Sequence, residues 1–140
     1  MPVLQNFAGV WSVTRVVEDR LCGTAGHLTG RACLSSGPHG LEYAERGILR
    51  LAGQPGMEAQ RRYLWQAGDG GGIDVLFADG RFFHSFHPAA ARSDTRHACP
   101  PDLYVGHFDL GRWPVWRVEW HITGPRKDCR IRTRYGPVGE

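Results

Sequence analysis

Hydrophobic and polar positions alternate with a period of two along most of this 140-residue chain. Gly, Pro, Asp and Ser clusters separate the alternating runs at short intervals, which is typical of antiparallel strands joined by tight turns. The segment "PAAARSDTRHACPP" at 88–101 is interpreted as the longest loop. The pattern predicts strands at residues 9–18, 27–35, 41–51, 60–67, 73–79, 81–87, 102–109, 115–123 and 128–135.

Two stretches sharpen this pattern. "ADGR" at 78–81 predicts a tight hairpin, because Asp-Gly tolerates the positive φ that such a turn needs. "EAQRRYLWQA" at 58–67 has good helical propensity, but Tyr63 and Trp65 alternate with polar neighbours, which favours a strand. Little helix is therefore expected anywhere in the chain.

Eight to ten short antiparallel strands leave many sheet edges, and closing the sheet on itself removes them. The sequence therefore predicts an all-β fold for residues 1–140, a single domain built as an antiparallel up-and-down β-barrel. At that strand number the interior holds side chains and one small ligand.

Strand alternation places two charges on the apolar face of their strands. Arg15 shares a side with Trp11 and Val13, and Glu45 shares a side with Tyr43. Because burying an unpaired charge is very costly, Arg15 and Glu45 are expected to pair. Such a pair either ties strands together or orients a ligand. The same alternation turns further aromatic side chains inward: Tyr63, Trp65, Phe77, Trp116 and Trp120.

The stretch "GRFFHSFHP" at 80–88 has two registers. One face carries Phe82, His84 and Phe86, and the more polar face carries Phe83 and His87. We predict that the first face points inward. His84 is then either a satisfied core histidine or a polar group in a ligand site.

Charge and hydropathy argue against several partners. The net charge of +3 comes from 17 basic residues, all arginine except one, scattered among 14 acids. A nucleic-acid binder concentrates such charge, whereas "RIRTRY" at 130–135 is explained as the outer face of a strand. No apolar run approaches 18 residues, and "MPVLQNFAGVWSV" has no secretory pattern. We expect a cytoplasmic monomer or homodimer that binds neither nucleic acid nor membrane.

The four cysteines form no CxxC pair. His97-x-Cys99 and His84-x-x-His87 are the only tight metal-like spacings, and zinc would need two such clusters to converge. Reduced thiols and no bound metal are therefore expected.

"GVW" at 9–11, on the first strand of an all-β chain, resembles the start of lipocalins and the wider calycin group. That resemblance implies a barrel whose base is plugged by Trp11 and covered by a late-strand arginine, here Arg132 or Arg134, although alternation turns both outward. Over almost its whole length the chain resembles an uncharacterised bacterial domain of unknown function. The segments are "FAGVWSVTR", "YAERG", "RRYLW", "LFADGRFFHSF", "HACPPDLYVGHF", "WRVEWHITGPRKD" and "RIRTRY". This resemblance implies a calycin-like barrel and no particular reaction.

Two further segments bear on the barrel mouth. The prolines of "HACPPDLYVG" at 97–106 stiffen the chain, so His97 and Tyr104 either line an opening or belong to a braced turn. Lys127 lies in a predicted hairpin turn and would meet an anionic ligand if that turn lies at the open end.

The favoured function is binding of a small, partly aromatic or anionic ligand. Arg15 would hold a carboxylate through its planar fork, with Tyr63, His84 and Tyr104 as orienting groups. No cofactor is expected; haem is the special case, in which either His84 or a loop histidine would ligate the iron. Lys127 and the following side chains complete the predicted ligand-binding set: Tyr43, Trp65, Phe77, Phe82, Phe86, Trp116 and Trp120.

The alternative is a cofactor-free isomerase, cyclase or decarboxylase. His84 or Glu45 would move the proton, and Tyr104 or Tyr63 would stabilise developing negative charge. Arg15 would anchor the substrate. The sequence contains no nucleophile signature, which favours binding over catalysis.

Overall fold

A computed structural model describes residues 1–139. Within these residues the regular structure is almost entirely β, with two short 3-10 segments at Leu4–Phe7 and Asp69–Gly71. No helix in the described part of the chain is long and apolar enough to cross a membrane. The strands are β1 (Gly9–Asp19), β2 (Thr24–Ser36), β3 (Leu41–Leu51), β4 (Met57–Ala67), β5 (Ile73–Phe77), β6 (Phe82–Phe86), β7 (Arg92–Cys99), β8 (Asp102–Arg112), β9 (Val115–Gly124) and β10 (Lys127–Pro137).

The ten strands form one antiparallel sheet in the order β6-β5-β4-β3-β2-β1-β10-β9-β8-β7. Strands that are consecutive in the chain pair with each other, except β6 and β7, and β1 also pairs with β10, so the sheet curls round. Its two edge strands meet at a seam, where the His87 N–H donates to Ser93 Oγ at 2.9 Å. The predicted all-β, up-and-down barrel is confirmed as a nearly closed barrel.

Strand β7 corrects the interpretation of residues 88–101 as a loop. It pairs along its length with β8 and turns Ser93 and Thr95 into the barrel, where both are buried. The alternation is present, but its inward positions carry hydroxyls rather than apolar groups. A hydrophobic pattern therefore could not reveal this strand.

A β-bulge in β6 corrects the prediction that Phe82 points inward. Val75 lies opposite His84, whereas Leu76 lies opposite Phe82, so β6 carries one extra residue. A bulge sets two residues against one and locally breaks the alternation of faces. Phe83 and His84 are consequently both buried, and Phe82 is 55% exposed.

Other local predictions are confirmed. Residues 58–67 are part of strand β4 rather than a helix. The "ADGR" hairpin joins β5 to β6, with Gly80 at φ 92° and the Phe77 N–H donating to the Arg81 carbonyl at 2.8 Å.

Aromatic side chains close one end of the barrel, which we call the base. Trp11 lies there, as expected, and its indole N–H donates to the Phe7 carbonyl at 2.9 Å. Phe7 packs edge-on against Trp65, Trp113 and Trp116, with ring centroids 5.3, 4.8 and 5.2 Å away. The opposite, open end carries the turns at residues 20–23, 52–56, 78–81, 100–101 and 125–126.

The expected arginine cover over Trp11 is wrong. Trp113 and Trp116 pack against Trp11 instead, at 5.5 and 5.8 Å between ring centroids. Arg132 lies on the outer face, where it pairs with Glu18 at 3.2 Å, and Arg134 shares that face. The basic cluster at 130–135 is therefore the outer face of β10, as the alternation predicted.

Glycine is needed at position 30 on β2 because the backbone of the neighbouring strand β3 comes very close to it. A Cβ there would lie 2.2 Å from the Arg46 carbonyl oxygen, which is backbone and cannot rotate away. Gly30→Ala is expected to lower the free energy of unfolding by about 1–3 kcal/mol, measured by urea denaturation.

Gly26→Ala on the same strand is the matched control, because the one close contact of its Cβ, at 2.6 Å, would be with the movable end of Leu51. Equal losses in the two variants would contradict the steric explanation.

Candidate functional site

A charged pair lies inside the barrel. Arg15 Nη1 and Nη2 donate to Glu45 Oε2 and Oε1 at 2.6 and 2.8 Å, and Arg15 Nε donates to Thr133 Oγ1 at 2.8 Å. Arg15 is 4% exposed and Glu45 is 2% exposed. The expected pairing is confirmed, and the bidentate contact satisfies both charges.

Two tyrosines extend this pair into a network. The Tyr43 hydroxyl donates to Glu45 Oε1 at 2.5 Å and lies 2.8 Å from the Tyr135 hydroxyl. Tyr135 in turn stacks on Trp116, with ring centroids 3.8 Å apart. The network therefore joins β1, β3 and β10 to the aromatic base.

The small residues of β2 leave room for the pair. Arg15 is on β1 and Glu45 is on β3, so their side chains must meet across the intervening strand. On that strand Ala32 lies opposite Glu45, and Gly30 lies opposite both Val13 and Gly47. Inward positions without bulk therefore allow the two long side chains to meet.

Arg15 and Glu45 are both ionised, and their charged groups are hydrogen-bonded to each other. Burial alone would raise the pKa of Glu45, but the hydrogen bonds and charge of Arg15 outweigh it and lower that pKa below its usual value. Burial alone would lower the pKa of Arg15, but Glu45 raises it above its usual value. Burial, with nearby Tyr135 and Glu45, raises the pKa of Tyr43 well above its ordinary value.

His84 lies apart from this network, among aromatic rings. It is 3% exposed, with the Trp120, Phe83 and Phe108 centroids at 4.9, 4.7 and 5.5 Å. Burial lowers its pKa from 6.5 to about 3, so the imidazole is neutral at pH 7. The Ser85 backbone opposes this lowering to a smaller extent, but within residues 1–139 the buried Nδ1 atom has no hydrogen-bond partner within 3.5 Å.

A small cavity, the inner chamber, lies beside His84. It has a volume of about 60 Å³, and Trp116 Nε1, a second buried nitrogen without a partner, belongs to a side chain in its wall. The third such nitrogen in residues 1–139, Arg130 Nε, is 3.4 Å from Glu119 on the outer face. The chamber is lined by Arg15, Tyr43, Arg61, Tyr63, Trp65, Val75, Phe83, His84, Phe108, Trp116, Val118, Trp120, Ile131, Thr133 and Tyr135.

A larger cavity, the vestibule, leads from the chamber toward the open end. It holds about 280 Å³, and the two cavities share a layer of aromatic rings in their walls. In that layer Phe83 stacks on Trp120 and on Tyr63, at 5.2 and 5.9 Å between centroids. The vestibule is lined by Arg61, Tyr63, Phe77, Phe83, His97, Cys99, Tyr104, Trp120, Ile122 and Ile131.

Arg61 lines both cavities and was missed by the sequence analysis. Among residues 1–139 no carboxylate oxygen lies within 4 Å of its guanidinium, although it faces Glu45 across the β3–β4 pair and lowers the pKa of that carboxyl. The alternation could have indicated Arg61, because residues 61, 63 and 65 lie on the same face of a strand. Phe83 was also missed, and its bulge left no signal in the pattern.

Most of the predicted ligand-binding residues surround these two cavities. Phe86 is fully buried but lines neither of them, and Phe82 is on the outer surface. Lys127 lies on a turn at the open end, 3.5 Å from Asp102, and also lines neither cavity. The residues that do line them are Arg15, Tyr43, Tyr63, Trp65, Phe77, Trp116 and Trp120, together with His84, Tyr104 and the β7 residue His97.

The predicted acid–base residues are not brought into one cavity. His84 lines the inner chamber, Tyr104 lines the vestibule, and Glu45 lines neither. Within the described residues, no three His, Cys, Asp or Glu side chains form a group that could hold a metal, and all four cysteines are free thiols.

These features define a nearly closed antiparallel barrel with an aromatic lumen that opens at one end and contains a neutralised ion pair. The chain belongs to DUF6314, a family of unknown function whose sequence profile matches residues 7–137. No curated protein sequence matches the chain.

A solved structure shares the fold. The S-type phycobiliprotein lyase CPES from Guillardia theta superposes with a TM-score of 0.68, covering 98% of this chain and 91% of the other. Sequence identity is only 4%, so the similarity describes the architecture of the barrel.

Proposed function

We propose that this DUF6314 protein binds a small, flat, largely apolar molecule in the lumen, with a carboxylate at the open end and a hydroxyl at the inner end. The aromatic layer of Tyr63, Phe83 and Trp120 would contact its body. Concave, mostly apolar sites with a few converging polar groups are usual for such ligands.

The observation that carries this proposal is the pair of unpartnered nitrogens, His84 Nδ1 and Trp116 Nε1. Buried polar atoms are nearly always hydrogen-bonded, and leaving one unsatisfied costs about 1–3 kcal/mol. Both belong to side chains that line one small chamber. In the proposed complex a ligand hydroxyl would accept from the indole N–H and donate to the neutral imidazole.

Arg61 is the residue that would bind the ligand's carboxylate at the open end. Arg15 was the expected carboxylate ligand, but it is already bound on both Nη atoms by Glu45. Arg61 has no such partner within the described chain, and its planar fork matches a carboxylate. It also lines the vestibule through which a ligand would pass.

The cavity volumes argue against haem. Drug-sized ligands occupy pockets of about 300–1,000 Å³, whereas the chamber that His84 lines holds about 60 Å³. An iron bound to His84 would have no room for its macrocycle. The proposal therefore includes no resident cofactor.

Binding is favoured over acid–base catalysis for two reasons. An imidazole with a pKa of about 3 is a weak base, and Tyr104 lies in the other cavity. The cytoplasmic location, the bacterial source, the monomeric or homodimeric state and the absence of nucleic-acid binding stay predictions.

The test uses 6-hydroxy-2-naphthoate, whose intrinsic fluorescence reports binding. We expect Arg61→Gln to weaken its binding by about tenfold or more, the loss expected for a charge-assisted hydrogen bond. Trp116→Phe should weaken the hydroxylated probe but leave 2-naphthoate unaffected, because only the hydroxyl meets the indole N–H.

Arg62→Gln is the matched control, since Arg62 follows Arg61 on β4 but faces outward. The proposal fails if wild-type protein does not bind the probe at millimolar concentration. It also fails if Arg62→Gln weakens binding as much as Arg61→Gln does.

A further inference from the structure

A second cavity lies on the outer face of the barrel, on the other side of the sheet from the lumen. This arginine groove holds about 570 Å³ and crosses strands β2, β1, β10, β9, β8 and β7. Its outward side chains are Thr14, Val16, His27, Thr29, Arg92, His107, Asp109, Arg117, Glu119, Arg132 and Arg134. Four arginines thus face two carboxylates.

The register puts like charges side by side in the groove. Arg117 on β9 lies directly opposite Arg134 on β10. Like charges in directly opposed positions of an antiparallel pair destabilise it. On its other side Arg117 lies opposite Asp109 on β8, and Asp109 lies opposite Arg92 on β7. Asp109 is therefore the one carboxylate in this row of paired positions across the sheet.

Within the described residues, two arginines of the groove take part in no ion pair, whereas other groups there are engaged. Arg132 pairs with Glu18 and Glu119 at 3.2 and 3.9 Å. Asp109 accepts the Gly111 N–H at 3.0 Å. None of the ion pairs within 4 Å in residues 1–139 includes Arg92 or Arg117.

A similar pair elsewhere on the barrel is compensated. Arg31 on β2 lies directly opposite Arg46 on β3, also on the outer face. There Arg46 pairs with Glu58 at 3.0 Å. Arg117 has no such ion pair among residues 1–139, although Asp109 lies opposite it on β8.

We propose that the arginine groove binds a small soluble phosphate monoester, at a site separate from the lumen. A phosphate offers oxygens on several sides, so it can accept hydrogen bonds from guanidinium groups on different strands, here Arg92 on β7 and Arg117 on β9. Val16 and the methyl groups of Thr14 and Thr29 would contact the organic part of the ligand. The volume lies within the range of small-molecule sites.

The probe is phenyl phosphate, with phenol as the uncharged comparison. In titrations followed by amide NMR, phenyl phosphate should shift the Thr14, Arg117 and Arg134 signals, and phenol should not. Arg117→Gln is expected to weaken binding by about tenfold or more. Arg92→Gln, on a different strand, should also weaken it and guards against a local folding defect in the first variant.

Arg31→Gln is the matched control and should bind like wild type. Equal weakening in Arg31→Gln and Arg117→Gln would show only a diffuse charge effect and would overturn the site. Shifts confined to residues of the lumen, or none at millimolar phenyl phosphate, would overturn it as well. Binding of 6-hydroxy-2-naphthoate is expected to be unchanged in Arg117→Gln, so the two proposals can fail independently.

Discussion

Arg15→Met is expected to lower the free energy of unfolding by about 3–5 kcal/mol, because it leaves Glu45 buried without its cation. Glu45 is 2% exposed and, among residues 1–139, would keep only the Tyr43 hydroxyl as a side-chain hydrogen-bond partner. The loss should be measured by urea denaturation at pH 7, followed by circular dichroism. Thr133 Oγ1 would lose its Arg15 donor in the same variant.

Two further variants distinguish the net contribution of the ion pair from the cost of leaving one buried charge without its partner. Arg15→Met combined with Glu45→Leu should regain most of the lost stability, since apolar residues of similar volume replace buried ion pairs at little cost. Arg46→Met is the surface control, because its pair with Glu58 is exposed and contributes about 1 kcal/mol or less. Equal losses in Arg15→Met and Arg46→Met would mean that the inner pair is not desolvated.

Lowering the pH from 6.5 to 5 is expected to destabilise the protein by about 2 kcal/mol through His84 alone. The folded protein holds the pKa of His84 at about 3, against 6.5 when unfolded. Between these values the unfolded chain binds a proton at this site that the folded chain does not bind. The free energy of unfolding therefore falls as the pH falls through this window.

Protonation of the Glu45 carboxyl changes the free energy of unfolding only at lower pH. Its pKa is lowered in the folded state, so the stability it contributes is present above its ordinary pKa of 4.5 and is lost as the pH falls through the folded value. Measurements at pH 6.5 and 5 thus mainly report His84 rather than Glu45.

His84→Leu removes the titrating group and should flatten the stability profile between pH 6.5 and 5. The control is His39→Leu at an exposed turn, which should keep the wild-type slope. An unchanged slope in His84→Leu would show that water reaches the imidazole in the folded state.

The alternating pattern predicted much of the fold because nearly every strand has one buried and one solvated face. Wherever the inward positions are apolar, as at Trp11 and Val13, the strand was recognised. Strand β7 was not, because Ser93 and Thr95 occupy its inward positions. The seam requires only small side chains there, so polar residues suffice.

The site was predicted in part for the same reason. Alternation alone put Arg15, Glu45 and His84 inside, and the structure buries all three. It could not show that Arg15 is fully engaged by Glu45, because the two lie on strands separated by β2. The availability of Arg61 follows from that engagement rather than from any local pattern.

By itself, the sequence determined the succession of the strands other than β7, the inward charges and the aromatic lumen, because side-chain alternation is a local property of an extended backbone. The tertiary structure alone decided which charges neutralise each other, which face Phe83 takes, and where two nitrogens remain without partners. Those outcomes depend on register, a bulge and contacts across the lumen, which join residues far apart in the chain.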